Sequence, residues 1–353
     1  MGSSQIWTEV LSPQDLTVYA NHYLTDLQAN GYSLSAYFPD QLVNDIFFAW
    51  KTEEDTNRLA EVRSADGETP IGSMGGGHKA TMQLPLIGQK VRINEMDQLR
   101  SFRQGNAEFQ EDDMTKATET VVRAVANRVE VARGDVLTTG RVRYAENGAI
   151  VDAGIGRDKE FEVTPKKHWD DPNASSALED IIDWAMAYED ANGTKPGTII
   201  ASPKVIQKLQ VNAQFRDSAN TTGELARVSS GAINAVLQDQ GLPGITSYSK
   251  SVRDGNGSRR ILDENTVYFL PPETQSGLLG YTVWGQTVEM NSPEYQLTGL
   301  GQIAVGAWRE NDPMAYWVRA NCAVQPILTN PNMAMVAHVV KPESARKAAK
   351  VSK

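Results

Sequence analysis

Apolar residues first recur at helical spacing at Leu16, Tyr19, Ala20, Tyr23, Leu24 and Leu27. Ser12, Pro13 and Asp15 stand where a helix start favours a cap, a fixed φ and a negative charge, so the pattern predicts one amphipathic helix running to Gly31. YSLSAYFPD and LVNDIFFAW follow, rich in aromatic and aliphatic residues with no partner segment nearby. Such stretches must be covered by something distant in sequence or on another chain. The expectation is that residues 1–52 form an arm that packs on a neighbouring copy, with Trp7 and Trp50 anchoring the contact.

Residues 53–100 turn charged, then glycine-rich (IGSMGGGHK), then strand-like in KVRINEM. Three successive glycines, Gly75, Gly76 and Gly77, weaken any helix or strand that contains them, so they are expected at a flexible loop or hairpin tip. A long hairpin with little core of its own needs an outside surface to hold it. From Glu111 to Arg133 the pattern is again helical: Met114, Ala117, Val121, Val125, Arg128 or Val129, and Ala132 track the period of a narrow, mostly Ala and Val stripe suited to lying across a sheet. Acidic Glu111, Asp112 and Asp113 sit at the positive end of the dipole and Gly134 is read as the stop, giving a rod of roughly 33 Å. Asn147-Gly148 then reads as the two-residue turn of a short hairpin.

After the breaker KKHWDDPN the pattern becomes mixed α/β. A helix ends at Gly193, a strand GTIIAS follows, Ser202-Pro203 opens a second helix, and a third spans Ser229 to Gln240. ITSYSKSV and NTVYFLP read as strands around a DGNGS tip that carries Asn256. Beyond Gly277 the chain is β-rich: LLGYTVWGQTVEM, QIAVGAWRE, MAYWVRANCAVQPIL and MAMVAHVV. Lys341 to Lys353 read as a solvated basic tail.

With 353 residues the chain is long enough for two or three packed units. Acidic residues outnumber basic ones 44 to 34, a net charge of -10, which disfavours a sequence-independent grip on phosphate backbones. One cysteine, Cys322, and four scattered histidines leave no basis for an intrachain disulfide or a zinc site, and fit a reducing compartment. MGSSQIWTEV lacks the regions of a signal peptide, and Ala320 to Val340, though long enough to span a bilayer, carries Asn321, Gln325, Pro326, Asn330, Pro331 and Asn332. It reads as strands and turns, and no membrane contact is expected.

Each enzyme signature breaks at a residue the mechanism requires. Gly72 to Lys79 has the glycine spacing of a phosphate loop, but His78 occupies the lysine position, and Lys79 is followed by Ala80 rather than by a magnesium-binding Ser or Thr. Gly154 and Gly156 begin a dinucleotide fingerprint that Lys159 interrupts. His168 beside Asp170 and Asp171 lies on an extended segment whose neighbours point to opposite sides, and Cys322 sits among small apolar residues like a buried strand position. Asp112-Asp113 reads as a helix-start charge rather than a metal pair. No catalytic, cofactor-binding or metal site is expected; a chain with an arm, a hairpin and a long small-residue helix suits a symmetric assembly.

Several stretches, in order, resemble the phage major capsid protein E family. PIGSMGGGHKATMQLPLIGQKVRINEMDQLRSF is similar to its extended loop, and DDMTKATETVVRAVANRVEVARGDVLTTGRV to its spine helix and first long strand. ANGTKPGTIIASPKVIQKLQVNAQFRDS is similar to the start of its axial domain, and ITSYSKSVRDGNGSRRILDENTVYFLPP to its strand, tip and strand. The resemblance implies an α+β chain with the HK97-like capsid fold. Its parts would be an N-terminal arm (1–52), an extended β-hairpin loop (53–100), a peripheral domain (101–172 and 320–353) with the spine helix at 111–133, and a mixed α/β axial domain (173–319).

It further implies a major head protein whose pentamers and hexamers tile an icosahedral shell around double-stranded DNA, assembled in the host cytoplasm and located in the virion. Trp7, Trp50, Gly75, Gly76, Gly77 and Asn256 become the expected assembly-interface residues, and scaffold or protease, portal and decoration proteins the expected partners. Two alternatives stay open at this point: a nanocompartment shell of the same fold, and a soluble α/β enzyme.

Overall fold

A computed structural model of the chain describes residues 11–51, 79–102, 107–146, 149–153, 156–219, 227–254, 257–275, 277–293, 295, 297 and 302–342. The arm begins with α1 (Pro13–Gly31), whose first turn is fixed by Ser12 Oγ accepting the Asp15 amide at 3.1 Å. Next come β1 (Asp40–Leu42), β2 (Phe47–Lys51), β3 (Lys79–Gln83), β4 (Leu86–Ile93) and α2 (Glu95–Phe102). The spine helix α3 (Ala107–Thr139) leads into the antiparallel pair β5 (Val142–Glu146) and β6 (Ala149–Ala153), while Asn147 and Gly148, read as its turn, lie outside the described residues.

The following unit contains β7 (Glu162–Val163), α4 (Ala177–Asn192), β8 (Thr198–Ala201), α5 (Pro203–Val211), α6 (Ala213–Ala219), α7 (Ser230–Asp239), β9 (Ile245–Ser247), β10 (Ser251–Asp254), β11 (Gly257–Arg260) and β12 (Thr266–Leu270). The chain closes with β13 (Gly280–Gly285), β14 (Ala304–Asn311), β15 (Met314–Leu328) and β16 (Met335–His338). Gly193 ends α4 in the left-handed region, φ 69°, where glycine alone avoids a Cβ penalty. Ser202 and Ser229 cap α5 and α7 by accepting the Val205 and Ala232 amides.

Two sheets organise the molecule. The first runs β1-β13-β15-β14, with β4 also on β15. Asn321 in β15 faces Gly88 of β4 and Ala304 of β14, so these two strands flank β15 on opposite sides. Val318, Ala320, Cys322 and Val324 turn one face of β15 onto the apolar stripe of α3, where Val121, Val122, Val125 and Val129 join the same core. The second sheet, β7-β16-β12-β8-β9, is covered by α4 to α7 on the side of Val267 and Phe269, while Tyr268 and Leu270 enter the core shared with the first sheet and the end of α3. Burial on both faces explains why β12 reads as an unbroken apolar run.

Several expectations change. The spine is 33 residues, about 50 Å, rather than the 111–133 rod. Gly134 is not its stop: a Cβ there would lie 2.6 Å from the Ile261 carbonyl oxygen, so the glycine permits a close crossing, and the helix ends at Gly140 with φ 70°. Gly134→Ala, although a gain in helix propensity, is therefore expected to cost about 1–3 kcal/mol in urea unfolding of the dispersed subunit.

ITSYSKSV is not one strand either; it breaks between β9 and β10, where Tyr248 turns into the core. A domain boundary at 319/320 would fall within β15, because β13, β14 and β15 pair within the spine-helix sheet while β16 returns to the second sheet. Finally, residues 11–51 pack on their own chain. β1 pairs with β13, β2 with β3, and α1 lies on α3 and β14.

Candidate assembly surfaces

The arm, the spine and the second unit meet at a buried charge cluster. Arg133, 1% exposed, places its guanidinium nitrogens 3.3 Å from Glu130 Oε2 and 3.3 Å from Asp40 Oδ1, and its Nε donates to Thr282 Oγ1 at 3.0 Å. Glu130 Oε1 accepts from the Tyr248 hydroxyl at 2.9 Å and the Leu34 amide at 3.3 Å. Asp40 accepts from Trp284 Nε1 at 2.7 Å and Gln302 Nε2 at 2.6 Å. Burial, reinforced by the Glu130 charge, pushes the Tyr248 hydroxyl far above the ordinary phenol range, so it remains a donor. Five chain segments are thereby fixed to one turn of α3.

A second buried cation closes the far end of the spine. Arg157 donates to the carbonyls of Leu137 at 2.6 Å and Thr138 at 3.4 Å, the last turn of α3, and to that of Pro331 at 3.2 Å. It satisfies helix carbonyls that would otherwise lack partners and lies favourably at the dipole's negative end. Burial draws its pKa down to about 10, leaving it charged at neutral pH. Sequence reading missed both clusters, although Glu130 and Arg133, a charged pair inside the apolar run VEVAR, were a visible signal.

The two sides of the first sheet are treated differently. Beside β14, Thr17 of α1 both donates to and accepts from Val305, and Asn21 takes the amides of Gln302 and Ile303. That edge is sealed. Beyond β4 no strand pairs among the described residues. A groove of about 410 Å³ lies there, lined by Pro85–Gln89, by Ala124, Arg128, Ala132 and Asp135 of α3, and by Val142 and Arg143. Leu86 at its rim is 68% exposed. Met96 and Leu99, on one face of α2, and Phe47 of the β2–β3 hairpin are further exposed apolar side chains. On the sheet face turned away from α3, Trp308 stacks on Trp317 with centroids 6.0 Å apart, and Lys90 Nζ lies 4.8 Å over the Trp317 ring.

Of the residues expected at interfaces, Trp50 is only 6% exposed and packs within its own chain's core, stacked on Phe48. Its apolar surface is covered within its own chain, where the expectation had placed it against a neighbour. Trp7, Gly75, Gly76, Gly77 and Asn256 lie outside the described residues. Next to Asn256, the β10–β11 hairpin lies along the spine through Arg259 and Asp135. Cys322 is fully buried with its thiol pKa pushed up by desolvation, the opposite of an activated nucleophile. Among the described residues His168 Nδ1 has no hydrogen-bond partner, and the buried indole beside it, Trp169, donates to Asp180 at 2.9 Å.

A sheet crossed by one long helix, a second α/β unit sharing its core, and an arm sealing one edge define the HK97-like capsid fold. The chain belongs to the phage major capsid protein E family, whose model matches residues 15–339. Among solved structures it is similar to a protein assigned as the capsid protein of an E. coli CFT073 prophage, at 15% identity and TM-score 0.61, over 92% of this chain and 99% of that one. A phage-related protein from Bordetella bronchiseptica RB50 superposes with TM-score 0.57 at 12% identity, over 96% of this chain and 98% of that one. The capsid subunit of cyanophage A-1(L) does so with TM-score 0.52 at 11% identity, over 89% and 95%. No curated protein sequence matches. The family membership makes this a structural protein of a phage capsid.

Proposed function

We propose that the chain builds the head of a tailed phage, with pentamers and hexamers closing an icosahedral shell around double-stranded DNA, and that it performs no catalysis. The family match over residues 15–339 carries this reading. Within it, α3 and the first sheet form the peripheral domain, and 157–275 with 329–340 the axial domain. The net charge of -10 suits a container that should not grip its cargo. Each subunit would make several moderate contacts rather than one strong one; a standard interface buries about 1,200–2,000 Å², so individual errors can dissociate. A scaffold or protease, a portal and a decoration protein are the partners such a head needs, and assembly takes place in the host cytoplasm.

Gly75 to Gly77 would let the extended loop move between two packings during maturation. Deleting residues 72–78 is expected to leave the subunit folded by circular dichroism while abolishing closed shells in negative-stain micrographs. Normal shells from the deletion variant would contradict the role given to the loop.

A further inference from the structure

We propose that the sheet face turned away from α3 carries a docking site for an acidic segment of a second protein, centred on Trp317 and built with Trp308, Lys90 and Arg92. As a site for a protein added to the shell, it rests on the capsid reading. Strand register brings the four side chains together. Trp317 of β15 lies opposite Arg92 of β4 on one side and Trp308 of β14 on the other, and Lys90 is two residues along β4 from Arg92, so all four project from one face. Three adjacent strands place Arg92, Trp317 and Trp308 in a row about 10 Å across, the reach of three extended residues.

Charge singles this cluster out. Lys90 Nζ lies 4.8 Å and the Arg92 guanidinium 5.8 Å from the centre of the Trp317 ring, and Trp308 stacks on that ring with planes 9° apart. Glu310 is engaged elsewhere, accepting the Trp317 Nε1 hydrogen at 2.7 Å. Among the described residues neither Lys90 nor Arg92 has a carboxylate partner, although both are exposed and the chain carries a net charge of -10. Arg319, opposite Lys90 in the same ladder, shows the contrast. It donates to Glu289 at 2.6 Å, and Glu289 also accepts from Asn321, so the chain neutralises that cation itself. A cation over an indole is held by the ring's negative face while its N–H donors stay available. Lys90 and Arg92 are thus positioned for carboxylates arriving from outside.

The make-up of the site points to the kind of partner. Trp and Arg are the side chains that dominate binding energy at protein interfaces. Obligate contacts between copies are apolar at their centre and depleted of charge. Here two exposed cations stand beside the rings, the composition of a contact made by an added, separately folded protein. The net negative charge repels a long polyanion over the whole surface, whereas a segment of three or four residues meets only the local positive charge. Carboxylates of that segment pair with Lys90 and Arg92, and an apolar or prolyl side chain between them lies against Trp308.

Anisotropy of a fluorescently labelled decaglutamate peptide with the full-length protein, dispersed and assembled, tests the site. Saturable binding is expected in both states. Lys90→Glu with Arg92→Glu should weaken it about tenfold or more, the milder Lys90→Gln with Arg92→Gln about threefold, and Trp317→Leu about fivefold, each with an unchanged circular dichroism spectrum. The loss in Trp317→Leu separates a site built on the ring from diffuse attraction to surface cations. No saturable binding, or equal binding by the variants, would overturn the proposal. Tighter binding of a ten-nucleotide single strand than of the peptide would also overturn it, making this a nucleic-acid face. So would peptide binding that disappears on assembly, which would make it a contact between copies. Absence of shells under every condition, with the peptide still bound, would instead defeat the capsid reading and with it the role of an added shell protein.

Discussion

Arg133→Met is expected to destabilise the subunit by about 3–5 kcal/mol in urea unfolding, because it strands buried Glu130 without a cation. Methionine keeps most of the stem's packing, so the loss reports the charge. Arg133 also donates to Asp40 and Thr282, and Asp40 in turn receives Trp284 and Gln302, so the substitution loosens β1 and β13 as well as the spine. The double variant Glu130→Leu, Arg133→Met should recover much of the deficit, since removing both charges also removes the desolvation that the pair must offset. A double variant no more stable than the single would show that geometry at Thr282 and Asp40, not the unpaired carboxylate, sets the cost.

Trp284→Ala should cost a similar amount, about 3–5 kcal/mol, for a different reason. The indole is 1% exposed and belongs to the core that joins α1, α3 and the first sheet, so truncation leaves a large cavity between elements that cannot collapse together. Trp284→Phe separates the two contributions. It retains most of the volume and loses only the hydrogen bond to Asp40, for which about 1–3 kcal/mol is expected. Equal losses for alanine and phenylalanine would place the effect in the hydrogen bond rather than in packing.

The elements with local signatures were legible. Ser12-Pro13, Ser202-Pro203 and Ser229 marked three helix starts, Gly193 a helix end, and the return beyond Gly277 appeared as β-rich. Features set by contacts between distant segments were not. Gly134 looks like a stop in sequence, and only the approach of Ile261 shows why a helix tolerates it. The arm looked uncovered because β13 and β14, its partners, lie more than 200 residues away. The boundary expected at 319/320 falls inside β15, which bonds to β4, β13 and β14 without a composition change at any single residue.

Aromatic content did not by itself mark exposed surface: Trp50 lies in its own chain's core, whereas the edge of β4, unpaired among the described residues, is a backbone feature. Lys90 and Arg92 on that strand are the charged residues expected of an edge that must avoid indiscriminate pairing, a pattern that could have singled it out. The family resemblance supplied what periodicity could not, namely the order in which these elements are joined.

The central claim, that this chain encloses a volume by associating with copies of itself, is tested most directly by electron cryomicroscopy of the purified full-length protein across a range of concentration and ionic strength. The account predicts closed polyhedral particles whose reconstruction shows five-fold and six-fold clusters with α3 crossing the shell wall in each subunit. A monodisperse single chain under every condition, with no rings or closed particles, would contradict it.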